Sequence, residues 1–224
     1  MKLKRKIIPL ALLLFITPMK LTKSEEQGEW VQLFNGQDLS GWKASSDPEA
    51  FKVVDGAIRV NAISKAAHLF YVGDTPKDTW IFKDFELKAT VRSDAGSNSG
   101  IFIHTGPVTR NRIGHLRDGY EVQLNSSEKE KRKTGSLYAI QDLPESPVDE
   151  TQWFVVNIKV EGKTIRVTID GKQVVEYTEP KKPKREPQRA GRLLSDFGGM
   201  IALQAHDKDS TWYFRDIHLR ELSH

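Results

Sequence analysis

Glu121, His104 and His206 are the residues of this 224-residue chain whose settings suit proton transfer. Each sits in a short string where polar and apolar residues alternate: Asn98-Ser99-Gly100-Ile101-Phe102-Ile103-His104, Gly119-Tyr120-Glu121-Val122-Gln123-Leu124-Asn125 and Ile201-Ala202-Leu203-Gln204-Ala205-His206. Successive side chains of a strand point to opposite faces. Val122 and Leu124 therefore share one face, and Glu121, Gln123 and Asn125 the other. Leu203 and Ala205 likewise oppose Gln204 and His206, and Ile101 and Ile103 oppose Phe102 and His104. A solvated face favours Lys, Thr, Ser and Glu; these positions carry amides, imidazoles and a single carboxylate. The alternation predicts that Glu121, Gln123, Gln204, His206 and His104 converge on one sheet surface.

The expected roles follow from chemistry. His104, Glu121 and His206 are candidate acids and bases. Asn98, Gln123, Tyr138, Gln204 and Lys133 are candidate substrate contacts, Lys133 because it precedes the string Thr134-Gly135-Ser136-Leu137-Tyr138. His104, Glu121 and His206 also make a two-histidine, one-carboxylate set that could take a divalent metal ion. A structural role, in core or turn, is the competing reading for each. It is the one adopted for His68, His115, His218 and His224, and for Trp42, Trp153 and Trp212 as core fillers. Arg215 and Asp216 are read as an ion pair at a sheet edge.

The elements that must position these groups are strands. Phe51–Val54 and Ala57–Asn61 flank Asp55-Gly56, a hairpin turn signal. Phe85–Arg92, Phe154–Val160 and Thr164–Asp170 alternate cleanly, and Asp170-Gly171 turns the chain into Gln173–Tyr177. Gly199–His206 and Trp212–Leu222 close the series. Many short strands and no long helical period predict a two-sheet sandwich or barrel. Residues 106–118 and 139–152 are the longer loops expected to flank a site.

Composition narrows the function classes. There is no Cys, which removes disulfides, thiolate metal sites and a Cys nucleophile. Residues 1–23 read as a signal peptide: Lys2, Lys4, Arg5 and Lys6 precede the apolar run Ile7–Ile16, with Pro18 after it. An uncleaved N-terminal anchor is the alternative. The expected location is the periplasm or the exterior, with residues 24–224 forming one domain. The segment 1–23 holds six Lys or Arg and no acid, leaving 28 of the 34 basic residues against 30 acidic ones, a net charge of −2. The sequence pI of 9.1 thus belongs to the leader and does not point to nucleic acid. One basic stretch remains: Lys181, Lys182, Lys184, Arg185, Arg189 and Arg192, interleaved with Pro180, Pro183 and Pro187. It reads as a solvated, proline-stiffened loop or as a rim that attracts anionic glycans.

Several ordered motifs resemble the bacterial family first catalogued as domain of unknown function 1080, now described as the 3-keto-disaccharide hydrolase or 3-keto-glucoside lyase/hydratase domain. They are Leu33-Phe34-Asn35-Gly36-Gln37-Asp38-Leu39-Ser40-Gly41-Trp42, Asn98-Ser99-Gly100, Gly119-Tyr120-Glu121-Val122-Gln123, the Thr134–Tyr138 string, Ile201–His206 and Phe214-Arg215-Asp216-Ile217. The resemblance spans about Trp30 to Leu222. It implies an all-β, concanavalin A-like jelly-roll sandwich of two antiparallel sheets with its ligand on a concave face. It also implies action on 3-keto glucosides: a base removes the acidic C2 proton, the C1 substituent departs by β-elimination, and water can add to the glycal for net hydrolysis. A separate glucoside 3-dehydrogenase would supply the ketone, since no strand–Gly-x-Gly-x-x-Gly–helix unit is present. Glucanases of this fold carry several acids on one strand, whereas Glu121-Val122-Gln123-Leu124-Asn125 carries one, which disfavours a two-carboxylate mechanism. The rival reading is a non-catalytic, lectin-like carbohydrate-binding module of the cell envelope.

Overall fold

A computed structural model describes residues 28–73 and 80–223; the expected signal segment, 1–23, lies outside the described residues. Thirteen strands are present among them: β1 (Val31–Gln32), β2 (Trp42–Ala44), β3 (Phe51–Val54), β4 (Ala57–Val60), β5 (Ala67–Tyr71), β6 (Phe85–Ser93), β7 (Asn98–Thr105), β8 (Tyr120–Asn125), β9 (Phe154–Glu161), β10 (Thr164–Ile169), β11 (Lys172–Thr178), β12 (Met200–Ala205) and β13 (Trp212–Glu221). They form two antiparallel sheets. The larger runs β11-β10-β9-β6-β13-β4-β3, with β1 also on β13; the smaller runs β2-β5-β12-β7-β8. The jelly-roll reading of the sequence is borne out.

Alternation does most of the work. On β6, Phe85, Leu87, Ala89 and Val91 face the inter-sheet core, as do Val156, Ile158 and Val160 of β9. The smaller sheet answers with Ile101, Val122, Leu124, Ile201 and Leu203, all at most 1% exposed. Each such side chain contributes about 1.5–3 kcal/mol by leaving water. The two Asp-Gly turns have both residues at positive φ, 50° and 75° at Asp55-Gly56 and 45° and 79° at Asp170-Gly171, as a two-residue hairpin of this type requires. Trp42 and Trp212 fill the core. Trp153 does not: its ring lies on the outer face of the larger sheet between the guanidiniums of Arg92 and Arg215. Arg215 pairs with Asp216 at 3.4 Å.

With one face of the smaller sheet against this core, its other face is free to be polar. That face carries the site.

Candidate active site

Register sets the rows. Phe102 on β7 lies opposite Glu121 on β8 and Ala202 on β12, and Ala202 lies opposite Phe70 on β5. The neighbouring row places Gly100 opposite Gln123, and Gln204 opposite His68. One row is therefore mainly apolar, the other polar. Phe70, Phe102, Leu116, Met200 and Ala202 pack as a second cluster, separate from the inter-sheet core. Glu121 stands at the end of this apolar row. Gly100 makes room for it: a Cβ at position 100 would come within 3.0 Å of both Cγ and Oε1 of Glu121.

The outer edge of β8 is held by the Thr134–Tyr138 string. Gln123 N–H donates to the Ser136 carbonyl, Gly135 N–H to the Gln123 carbonyl, and Tyr138 N–H to the Glu121 carbonyl, each at 2.9 Å. That pairing brings the Tyr138 side chain beside the carboxylate. Asn125, at the end of the same strand face, donates from Nδ2 to the carbonyls of Glu130 and Arg132, both at 2.9 Å. It thereby carries Glu130 to the rim.

The result is a cavity lined by Asn98, Phe102, Gln123, Tyr138, Gln204 and His206 around Glu121, and completed by Arg110, His115, Glu130 and Arg192. Gln123 Nε2 donates to Asn98 Oδ1 at 3.1 Å, and Asn98 Nδ2 lies 3.4 Å from His206 Nε2. His206 Nδ1 in turn is 2.7 Å from Asp207 Oδ2, a carboxylate that orients the ring. Gln204 Nε2 is 3.4 Å from His68 Nε2. The side-chain amide oxygens of Gln123 and Gln204, Oε1 in each, are buried with no hydrogen-bond partner among the described residues. Two buried, unpaired acceptors on a pocket wall are suited to the hydroxyls of a sugar ring.

Electrostatics single out Glu121. It is 7% exposed, and burial pushes its carboxyl above the ordinary carboxylate range, against the pull of Arg192. Arg192 Nη2 donates to Glu121 Oε2 at 3.2 Å, and its guanidinium lies over the Phe102 ring. Burial, with Arg110 and Arg189 as like charges, pulls the Arg192 guanidinium down, and Glu121 opposes that shift. The imidazoles of His68 and His115 are neutral. Burial and nearby cationic groups lower His68 to about 3 and His115 to about 4. Glu130 behaves oppositely to Glu121. Burial raises it, but the Arg132 amide and guanidinium and the Tyr138 hydroxyl outweigh that, and the net shift is down.

Of the expected site residues, the pocket gathers Asn98, Glu121, Gln123, Tyr138, Gln204 and His206. It does not gather His104. An extra residue in β7 breaks the register, since Met200 pairs with Thr105 but Ala202 with Phe102. His104 absorbs this bulge at φ 51°. Alternation reverses there, so its ring stacks on Phe85 of the core and its Nε2 donates to the Lys83 carbonyl at 2.8 Å. The expected metal set of His104, Glu121 and His206 therefore does not meet. Among the described residues no three His, Asp or Glu side chains are grouped to hold an ion. Lys133 is also corrected: its Nζ donates to the Ser127 carbonyl at 2.6 Å, tying down the loop before Thr134 outside the pocket lining.

Sequence reasoning missed Arg110, His115, Glu130 and Arg192. The loop 106–118 supplies the first two, as a flanking loop should. The other flank is the basic stretch rather than 139–152. Tyr120 donates to Glu179, and Arg185 donates to the hydroxyls of Tyr120 and Tyr177, both at 2.7 Å. These bonds lay the stretch across the sheet edge and aim Arg192 inward. Gly191 permits the approach, since a Cβ there would sit 2.4 Å from Asp118 Oδ1.

This is a two-sheet sandwich of the galectin and concanavalin kind, with a pocket of amides, imidazoles and one buried carboxylate on the face of the smaller sheet turned away from the core. The chain belongs to the family of 3-keto-α-glucoside-1,2-lyase-like domains, which matches residues 29–220. That membership supports a glycoside-acting enzyme. Two Parabacteroides distasonis proteins assigned provisionally to the glycosyl hydrolases share its architecture. One is 20% identical with a TM-score of 0.68, over 88% of this chain and 94% of its own. The other is 22% identical with a TM-score of 0.63, over 87% and 100%. A Bacillus subtilis protein of unknown function with a galectin-like fold follows at 13% identity and 0.58, over 87% and 96%. At these identities the likeness is one of fold. No curated protein matches the chain by sequence.

Proposed function

We propose that the protein cleaves 3-keto glucosides by elimination, with Glu121 as the base. The observation that carries this is a carboxylate buried at the end of an apolar row, raised in pKa, and the one acid of the pocket that is not locked in hydrogen bonds to its own loop. A ketone at C3 acidifies the C2 hydrogen. Glu121 takes that proton, and the electron pair forms an enolate whose oxygen needs a donor; Arg192 lines the same pocket and has N–H groups beyond the one it gives Glu121. The enolate re-forms its carbonyl, the C1–O bond breaks, and the departing oxygen takes a proton from His206, which Asp207 orients. The products are a 3-keto glycal and the free aglycone; water adding across the C1–C2 double bond gives net hydrolysis. Gln123, Gln204 and Asn98 hold the ring hydroxyls.

The ketone must come from another protein, a glucoside 3-dehydrogenase. Residues 1–23 make it an exported protein, with residues 24–224 as its working domain. N-terminal sequencing of periplasmic material should find a start near residues 19–24, and a cytoplasmic product retaining Met1 would refute export.

The deciding experiment incubates purified protein with a 3-keto glucoside and with its unoxidised parent. A glycal product from the ketone alone supports the reading. Binding of both without turnover would instead make the protein a lectin-like module.

A further inference from the structure

The geometry points to an anionic group on the ligand: the pocket takes a glycoside bearing a carboxylate or sulfate, held by Arg110 and Arg189 at its mouth. This rests on the carbohydrate reading above and specifies the class of substrate.

Two guanidiniums, Arg110 and Arg192, line the cavity, and a third, Arg189, lies over the ring of Tyr138 in its wall. Arg192 is spoken for, since it pairs with Glu121. Arg110 lines the cavity, and among the described residues its side chain makes one hydrogen bond, from Nη1 to the Gln188 carbonyl at 3.3 Å. Arg189 lies over the face of the Tyr138 ring at 5.6 Å, opening onto an adjoining groove lined also by Arg132, Lys184 and Arg185. Among the described residues neither Arg110 nor Arg189 has an ion-pair partner, and the Nε of each is buried without a hydrogen bond. Unpaired buried donors of a fixed charge are costly unless a ligand completes them. The acids nearby do not serve. Glu121 is held by Arg192, and Glu130 by Arg132 and Tyr138. Glu186 lies exposed on the adjoining groove. Both arginines also act on Arg192 as like charges. A planar guanidinium suits a carboxylate or a sulfate through paired N–H donors.

The position of the anion, on the sugar or on the aglycone, is resolved by the choice of probes. Phenyl glucoside, phenyl glucuronide and 4-sulfophenyl glucoside are titrated calorimetrically into the wild-type protein, and their 3-keto forms into Glu121→Gln. At least one anionic ligand should bind about tenfold more tightly than the neutral one in the same oxidation state. Raising the salt concentration should shrink that advantage. Arg110→Gln and Arg189→Gln should each cut it several-fold while their circular dichroism stays that of the wild type. Equal affinities, an advantage that survives both substitutions, or no binding by either anionic ligand in either oxidation state overturns the assignment. The affinity ratio within one oxidation state does not involve elimination. Its loss would leave the 3-keto chemistry standing, and absent elimination would leave the ratio measurable.

Discussion

Glu121 and Arg192 form an ion pair at 3.2 Å with side chains only 8% and 1% exposed, one on the sheet and the other on the stretch laid over it. Two charges out of water tolerate each other and little else. Removing one partner of such a pair typically costs about 3–5 kcal/mol, because the survivor stays buried and unpaired. Arg192→Met is therefore expected to lower the unfolding free energy by about that much in a denaturant titration. It should also push Glu121 further up, moving the acid limb of the kcat/KM–pH profile to higher pH. A variant as stable as the wild type would show that the pair is not compensating burial.

Glu121→Gln keeps shape and hydrogen bonding but cannot accept the C2 proton. Loss of general base catalysis costs roughly 10²- to 10⁴-fold. We expect kcat on a 3-keto glucoside to fall in that range, with ligand affinity changed only a few-fold. Near-normal turnover would remove Glu121 from the chemistry.

The two histidines once grouped by sequence should now separate. His206→Gln should slow elimination, most for poor leaving groups, since it removes the proton donor. His104→Gln should leave kcat within a few-fold of wild type and instead lower the melting temperature, because it breaks the bond to the Lys83 carbonyl inside the bulge. A rate loss at His104 with stability intact would contradict its placement.

A second carboxylate in the pocket, Glu130, makes ordinary hydrolysis the result to watch for. Both of its oxygens are engaged, Oε1 by Arg132 and Oε2 by Tyr138. The expectation is no glucose release from unoxidised glycosides. If release occurs and Glu130→Gln abolishes it, Glu121 and Glu130 act as the acid and nucleophile of a two-carboxylate mechanism.

Stability should fall with acid before the carboxylates of the surface titrate. His68 and His115 have folded values near 3 and 4 against 6.5 unfolded. A depressed value means that the unfolded chain binds the proton first. Their contribution is complete above pH 6.5 and drains away as pH falls toward 4 and then 3. At pH 5 the loss is about 2 kcal/mol for His68, and less for the half-exposed His115. Glu121 works in the other direction, because its raised carboxyl gains a proton more readily when folded. His68→Gln should flatten the acid side of the melting-temperature curve; an unchanged curve would show that His68 is not the cause.

The fold was legible because alternation is a local property. β6, β9 and β10 show it plainly, and two Asp-Gly pairs mark the turns. β5 was not legible: Ala67–Tyr71 is buried on both faces, so its sequence lacks a period-2 signature. The site divides in the same way. Glu121, Gln123, Gln204 and His206 follow from strand phase. His104 fails because one extra residue in β7 inverts the phase, and Ile103-His104-Thr105 carries no Gly to announce a bulge. Arg110, Glu130 and Arg192 depend on how loops fold back, which spacing does not encode. The basic stretch was visible as charge, but its inward Arg192 looked like its outward neighbours.

The base of this pocket is built into the sheet, whereas its cations arrive on two surface segments, 106–118 and 185–192. The first is inherited with the sandwich itself: altering β8 would disturb the core residues Val122 and Leu124 that lie between Glu121, Gln123 and Asn125. The second lies outside the strands, so its arginines other than Arg192 can be exchanged without altering the sheets. Reaction and ligand preference are thus written in separable parts of the chain, so related proteins can keep one chemistry and diverge in the charge of what they accept.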